Sequence, residues 1–442
     1  MLQNKYSHLL KDLIMPLADR VMHTKIMYYL KQIENMSQWS SAEIDNWQNE
    51  KLQRLIEHAY ANTEYYHDLM NKLKLNPSDI KTKNDLNKLP ILTKKDIANN
   101  YKKIIPQNIK NFYYKNHSTG GSTGEPMRFL LDLKSWSFMS AYGIYSWEKF
   151  GYNYGDSYVA LGSSSLFPTE KKSIKHNIYY SLIRKYPFSA INLSDGLLLN
   201  YVSEIKNRKI KFIYGYASAI YLLANFVLKK RIDLYNIIIC FSTSEILTEE
   251  YRSVIEKAFH CKVVDCYGAR DGGLSAYEVK PHQYHVGYNC IAELKESRNS
   301  TGEILTTDLL NYAFPFIRYQ LGDEITLSNS DNRKSKFNGQ VITKVFGRIP
   351  DVMKLENGNI LTGPGFTILF KDLHVKAYRL KKIGYMQIEC GIKKNIGYTK
   401  DEESLIIATL KKHAGEDCDI KIKYIEEFEL LRSGKRHYFI SE

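Results

Sequence analysis

Three short runs spaced one helix apart decide the fold: Lys211-Phe-Ile-Tyr-Gly-Tyr216, Asn236-Ile-Ile-Ile-Cys-Phe241 and Lys262-Val-Val-Asp-Cys-Tyr267. Each is apolar and rich in β-branched or aromatic residues, as a strand buried on both faces requires. Between them, Ala219–Lys230 and Glu249–Phe259 carry apolar residues at helical spacing. The succession β-α-β-α-β predicts a parallel sheet with right-handed crossovers. Ligands of such sheets lie beyond the carboxyl ends of the strands. Those ends read Gly215-Tyr216-Ala217, Ser242-Thr243-Ser244-Glu245 and Tyr267-Gly268-Ala269-Arg270-Asp271, small, aromatic and polar residues suited to a nucleotide.

Outward from this core, residues 1–105 read as helical, with Trp47, Leu52, Leu55, Ile56 and Ala59 on one apolar face. After Tyr284 the chain turns to shorter strands: His285–Leu294, Glu303–Thr307, Phe316–Leu327 and Val341–Phe346. Asn357-Gly358 marks a hairpin between Val352–Leu355 and Ile360–Leu361. A boundary is expected near Ile349–Asp351. The expected architecture is α/β, with a large N-terminal domain (1–348) of parallel βαβ sheet plus additional strands. A small, mobile α+β domain (349–442) follows.

A second stretch carries chemistry: His117-Ser-Thr-Gly-Gly-Ser-Thr-Gly-Glu-Pro126. Gly120, Gly121 and Gly124 let backbone N–H groups converge on an anion, and Ser118, Thr119, Ser122 and Thr123 add uncharged donors. This predicts a phosphate-gripping loop rather than a linker, because the helix-compatible run Lys134–Phe150 follows. It is not the loop of nucleoside triphosphatases, since no Gly-Lys-Ser/Thr closes it. The positive charge that polyphosphate needs must come from elsewhere in the chain.

Composition narrows the classes. The 442 residues, 44% hydrophobic, are enough for two or three domains around sizeable cores. The net charge is +14, while residues 349–442 hold 16 basic against 14 acidic side chains, so the excess lies in the larger part. Clusters such as Lys171, Lys172, Lys175 and Lys229, Lys230, Arg231 accompany no nucleic-acid signature, and nucleic acid is not expected as a partner. Six cysteines without C-x-x-C suggest reduced thiols, and His260, Cys261, Cys266, His282, His285 and Cys290 match no standard zinc spacing. Lys11, Asp12 and Pro16 interrupt the apolar N-terminus, so the expectation is a cytoplasmic protein with at most peripheral membrane contact.

Four further features stand in order. Tyr267-Gly268 with Asp271 sets a ring and a carboxylate at the mouth of the sheet, apt for adenine and for a cation bridging phosphates. Arg318-Tyr-Gln-Leu-Gly-Asp323 ends a strand with a carboxylate able to accept ribose hydroxyls. Gly347-Arg348 with Asp351 pairs a charged anchor with a hinge candidate, and Ser433-Gly-Lys435 offers an exposed lysine. Each alone has a bland reading as a turn or solvated surface.

Together, in this order, they resemble the adenylate-forming ligases, the superfamily of acyl-CoA synthetases, luciferase and peptide-synthetase adenylation domains. Within it the chain is most similar to the phenylacetate–CoA ligase family and its capsular-polysaccharide (CapK-like) group. The segments that carry the resemblance are 118–126, Tyr-Gly-Ala-Arg-Asp-Gly-Gly (267–273), 307–323, Gly-Arg-Ile-Pro-Asp (347–351) and Ser-Gly-Lys (433–435).

The resemblance implies an enzyme that activates a carboxylic acid with ATP and Mg2+, releases pyrophosphate, and transfers the acyl group. The acceptor would be a thiol such as coenzyme A, an amine or a sugar-linked group, in surface-polysaccharide assembly. Ser118 to Gly124 would hold the phosphates, with Ser244, Glu245, Tyr267, Gly268, Asp323 and Arg348 around the nucleotide. Gly162, Ser163, Tyr216, Ala217 and Gly268 would face the acid. Asp271 would bind metal, Asp351 would be the hinge, and Lys435, Asp271 and Arg348 would serve the reaction. Three positions depart from the family pattern: Asp271 replaces the usual Glu, Met127 stands where Lys often follows the proline, and no proline precedes Gly434-Lys435. A catabolic aryl-acid–CoA ligase and a nucleotide-binding accessory protein remain as alternatives.

Overall fold

A computed structural model describes residues 2–118, 127–163, 166, 174–191, 193–298, 300–328, 338–346, 352–362, 370, 373–426 and 439–440. Contacts divide the chain into two compact units. One comprises 1–118, 127–155 and 266–347, and the other 119–126, 156–265 and 348–442.

The second unit holds the parallel strands. Lys185–Ser189, Tyr158–Gly162, Phe212–Tyr216, Ile239–Thr243 and the first half of Lys262–Ala269 lie side by side in that order. Helices Ile174–Leu182, Asp195–Asn207, Ala217–Lys229 and Glu249–Phe259 make the crossovers. Val159, Leu161, Ile213, Ile220, Leu223, Val227, Cys240, Phe259 and Val263 pack into one core. The three strands read from sequence thus gain two neighbours, Tyr158–Gly162 and Lys185–Ser189.

Residues 352–440 build a smaller sheet within the same unit. Val375–Gly384 and Gln387–Lys394 form an antiparallel pair, and Asp419–Tyr424 returns parallel after helix Lys400–Ala414. Thr399 and Glu402 cap that helix reciprocally. Met353, Leu380, Ile388, Ile406 and Leu410 are fully buried in a separate core. Strands Val352–Lys354 and Ile360–Thr362 pair across Asn357-Gly358, with Gly358 at φ +85°. Asn357 and Asn359 donate to Ala414 O at 2.6 and 2.9 Å, satisfying a carbonyl at the helix end. Residues 347–351 lie outside the described residues, and with them the boundary expected at Ile349–Asp351.

The first unit is helical at its amino end. Ser41–Asn62 starts at a Ser40–Glu43 capping box and buries Trp47, Leu52, Leu55, Ile56 and Ala59, the face read from sequence. Its strands run Lys262–Ala269 (second half), Leu274–Lys280, Gln283–Val286, Val341–Phe346, Tyr319–Ser328, Thr301–Asp308 and Cys290–Arg298, antiparallel throughout. One expectation is corrected: His285–Leu294 is not one strand. Gly287-Tyr288-Asn289 breaks it, because Gly287 N–H bonds to Ser275 O at 2.7 Å and Asn289 Nδ2 to Gly273 O at 2.9 Å. All six cysteines are free thiols.

Candidate functional site

In the first unit, two carboxylates and two tyrosines form a small constellation. Strand Lys262–Ala269 turns back into Leu274–Lys280 through Arg270–Gly273, where Gly272 and Gly273 take φ +86° and +70°. A Cβ at either would collide with the side chains of Thr306 or Asp308, so only glycine allows the turn to approach so closely. The turn carries Asp271, partly exposed, whose Oδ2 accepts the Tyr319 hydroxyl at 3.0 Å. Burial pushes the Asp271 carboxyl up, and the Lys94 ammonium pulls against it.

Asp323 reaches the same region by a different device. Thr301–Asp308 and Tyr319–Ser328 pair at Glu303↔Glu324 and again at Leu305↔Gln320. One residue thus faces three, and Leu321-Gly322-Asp323 bulges from the ladder, with Gly322 at φ +86°. The bulge turns Asp323 toward Tyr267, whose hydroxyl donates to Asp323 Oδ2 at 3.1 Å. Burial, then the Asp323 charge, drives the Tyr267 phenol far above its ordinary pKa. Burial and Asp271 do the same to Tyr319, so both rings remain neutral donors. Gly268 is exposed, and a Cβ there would stand 2.7 Å from Leu274 O.

Lys94 was missed in the sequence because Thr93-Lys-Lys-Asp96 reads as an ordinary helix start. It is one: Thr93 and Asp96 cap helix Lys94–Ile104. Just before it, Leu92 pairs with the Tyr319 strand, its N–H reaching Arg318 O at 3.1 Å and its carbonyl taking Gln320 N–H at 3.0 Å. This lateral pairing sets the next turn where the Lys94 charge acts on Asp271. Arg318 has structural duties: it bonds Glu293 at 3.1 Å and Leu89 O at 2.5 Å.

The two ends of the glycine-rich loop are also described. Ser118 closes strand Tyr114–Ser118, which pairs with Arg128–Asp132, and its buried Oγ finds no partner among the described residues. Met127 is buried with Sδ 3.6 Å from Tyr319 Oη. Thr119, Gly120, Gly121, Ser122, Thr123 and Gly124 lie outside the described residues, as do Arg348, Asp351 and Lys435.

In the second unit the expected residues lie at the carboxyl ends of the parallel strands. Gly162 and Ser163 end one strand, and Tyr216 ends its neighbour. The Ser163 and Tyr216 hydroxyls are hydrogen-bonded to each other and fully buried. Ala217 opens helix Ala217–Lys229 and is buried too. Glu245 Oε2 accepts Ser218 N–H at 2.8 Å, taking one of that helix's first amides, while Ser244 is exposed at φ +69°.

Among the described residues no three His, Cys, Asp or Glu side chains gather as a metal cage. Magnesium does not need one, because it keeps several waters and is commonly bound through one or two carboxylates plus substrate phosphates. A single oriented carboxylate such as Asp271 fits that pattern.

Comparison with known proteins bears on the chain as a whole. No family model matches the chain. It is 27% identical over 337 residues to Protein CapK of Staphylococcus aureus, covering 76% of this chain and 74% of the relative. Over 368 residues it is 22% identical to a phenylacetate–coenzyme A ligase of Pseudomonas putida, covering 76% and 78%. The chain is thus similar to CapK and to the phenylacetate–coenzyme A ligases over about three quarters of its length. Its fold is shared by 2-hydroxyisobutyryl-CoA ligase, solved with an acyl-adenylate in the postadenylation state. That match has TM-score 0.58 at 16% identity, over 91% of this chain and 90% of the other. The same ligase has also been solved in an open conformation with 2-HIB-AMP and CoA.

Proposed function

We propose that the chain uses ATP to convert a carboxylic acid into an acyl-adenylate, releasing pyrophosphate. It then passes the acyl group to a thiol, amine or sugar-linked acceptor in surface-polysaccharide assembly in the cytoplasm. The observation that carries this reading is the pair Asp271 and Asp323, each gripped by a tyrosine, at the family's motif positions. The CapK relative supports the polysaccharide setting by its name, and the ligase relatives support coenzyme A as one acceptor.

Charge dictates the roles. A carboxylate and an α-phosphate repel, so their approach needs cationic neutralisation and alignment. Asp323 accepts ribose hydroxyls, and Tyr267 flanks adenine beside Gly268. Ser118 to Gly124 give amide and hydroxyl donors to the phosphates, with Ser244 and Glu245 on the nucleotide as well. Gly162, Ser163, Tyr216 and Ala217 shape the acid's surroundings. Lys94 supplies a cation that the lysine-free loop lacks, and its charge opposes the rise that burial imposes on the Asp271 carboxyl. Magnesium bound at Asp271 would neutralise phosphate charge, while Tyr319 holds that carboxylate in place. Arg348 and Lys435 bring further cations as residues 349–442 turn about Asp351. The shared core of Met353, Leu380, Ile388, Ile406 and Leu410 supports treating the described residues between 352 and 426 as one body.

An ATP–pyrophosphate exchange screen across aryl, aliphatic and amino acids tests the reading. Exchange that depends on one acid class is expected. Tight ATP binding with no exchange for any acid would instead identify an accessory protein, and product mass would then name the acceptor of an active enzyme.

A further inference from the structure

Residues 2–22 form a continuous helical rod: Leu2–Leu9, a π-helical turn Leu10–Ile14, and Met15–Met22. Its inner side is committed to its own unit. Leu10, Met15 and Asp19 are buried, Asp19 accepts from Thr24 Oγ1 at 2.5 Å and Met27 N–H at 2.8 Å, and Lys11 pairs with Glu148 at 2.5 Å. Its outer side carries Leu9, Leu13, Leu17 and Val21, exposed by 46, 56, 58 and 74%. Single exposed leucines are ordinary, but four in register are not scattered.

The π turn keeps them in register. Steps of four residues advance about 40° on an α-helix at 3.6 residues per turn. An i→i+5 ladder of roughly 4.4 residues per turn instead falls back by about 30° per such step. The Leu9–Leu13 step therefore offsets part of the drift from Leu13 to Val21, and the four side chains stay on one side of the rod. Exposed Lys5, Arg20 and Lys25 flank it, with Tyr28 exposed by 62% beneath the Lys25 ammonium at 5.9 Å. The one exposed carboxylate on the rod, Asp12, lies 3.6 Å from His8. A second copy packed antiparallel would set Lys5 against the other copy's Arg20, a like-charge clash.

We propose that this face rests on an anionic lipid surface. The rod lies in the membrane plane, its aliphatic stripe enters the headgroup boundary, and Lys5, Arg20 and Lys25 meet lipid phosphates. Among the described residues no helix is long and apolar enough to cross a membrane, so the contact is peripheral. This inference is independent of the ligase reading.

The test is co-sedimentation of the full chain with phosphatidylglycerol–phosphatidylcholine vesicles and with pure phosphatidylcholine vesicles, alongside its oligomeric state in solution. Binding is expected for the anionic vesicles, weakening with salt. It should fall by on the order of tenfold in the Leu13→Glu/Leu17→Glu variant, whose exposed changes leave the melting profile near that of the parent. Lys5→Glu/Arg20→Glu should lose the preference for anionic lipid. The proposal is overturned if the parent chain binds neither vesicle, or if the leucine variant binds as well as the parent. It is equally overturned if the parent is a dimer that the leucine variant converts to monomer, since a second copy would then own the face.

Discussion

Asp308 lies beneath the turn that carries Asp271 and gives the strongest prediction about pH. It is fully buried, accepts Ser135 Oγ–H at 2.6 Å and Leu310 N–H at 3.1 Å, and packs against Gly273. Burial raises its carboxyl from 3.8 to about 6, the Asp132 charge adds to the rise, and the Ser135, Leu310 and Asn289 donors oppose it. The folded state therefore binds this proton more tightly than the unfolded chain does. Stability from this group is present below about pH 4 and is lost as pH rises through about 6. The cost in full ionisation is about two pH units at about 1.4 kcal/mol each, or about 3 kcal/mol. Asp308→Asn isolates it, because the amide Oδ1 still accepts from Leu310 and Nδ2 can donate to Ser135. Melting temperatures of parent and variant should differ by an amount that changes across pH 4–7. At roughly 2–4 °C per kcal/mol, the variant should gain about 6–12 °C on the parent over that span. A difference that stays constant from pH 4 to 7 would refute the reasoning, whatever its size.

Three functional predictions follow from the carboxylates and cations. Asp323→Ala should weaken ATP by roughly 1.5–3 kcal/mol for each lost charge-assisted hydrogen bond, while pyrophosphate binding changes little; equal losses in titrations of both ligands would rule out a ribose role. Lys94→Met should slow acid-dependent pyrophosphate release by on the order of 10²-fold or more, as loss of an electrostatic stabiliser does, with its circular dichroism unchanged. An unaltered rate in a folded variant would confine Lys94 to helix initiation. Lys435→Ala should slow adenylation by a similar order yet transfer a preformed acyl-adenylate at near the parent rate, and equal damage to both half-reactions would return Lys435 to solvated surface.

The parallel strands were legible because strands buried on both faces are written as unbroken apolar runs. Glu249–Phe259 and Val341–Phe346 match their elements at both ends, the helix because Thr248 caps it and accepts Tyr251 N–H at 3.1 Å. Leu274–Lys280 escaped notice, since Leu-Ser-Ala-Tyr-Glu-Val-Lys has no apolar run and earns its strand from neighbours on both sides. The break at Gly287–Asn289 was hidden for the converse reason. His285–Leu294 alternates well enough for one strand, and only the tertiary bonds of Gly287 and Asn289 divide it. For the site, the chemistry-bearing residue types were readable at Tyr267, Asp271 and Asp323, but their pairing was not. That Tyr319 serves Asp271 and Tyr267 serves Asp323 follows from a glycine turn and a bulge, which no local pattern specifies.

The same geometry bears on the shortened side chain at position 271. The family's usual glutamate reaches one methylene further, so an aspartate must be brought forward by its backbone. Here Gly272 and Gly273 let the turn sit against Thr306 and Asp308 more closely than any side chain would permit. Tyr319 then fixes one oxygen at 3.0 Å, and the Lys94 charge acts on the same carboxylate. A longer acid here would have to fold back to keep the Tyr319 bond. The aspartate is thus a length that this turn and Tyr319 accommodate together.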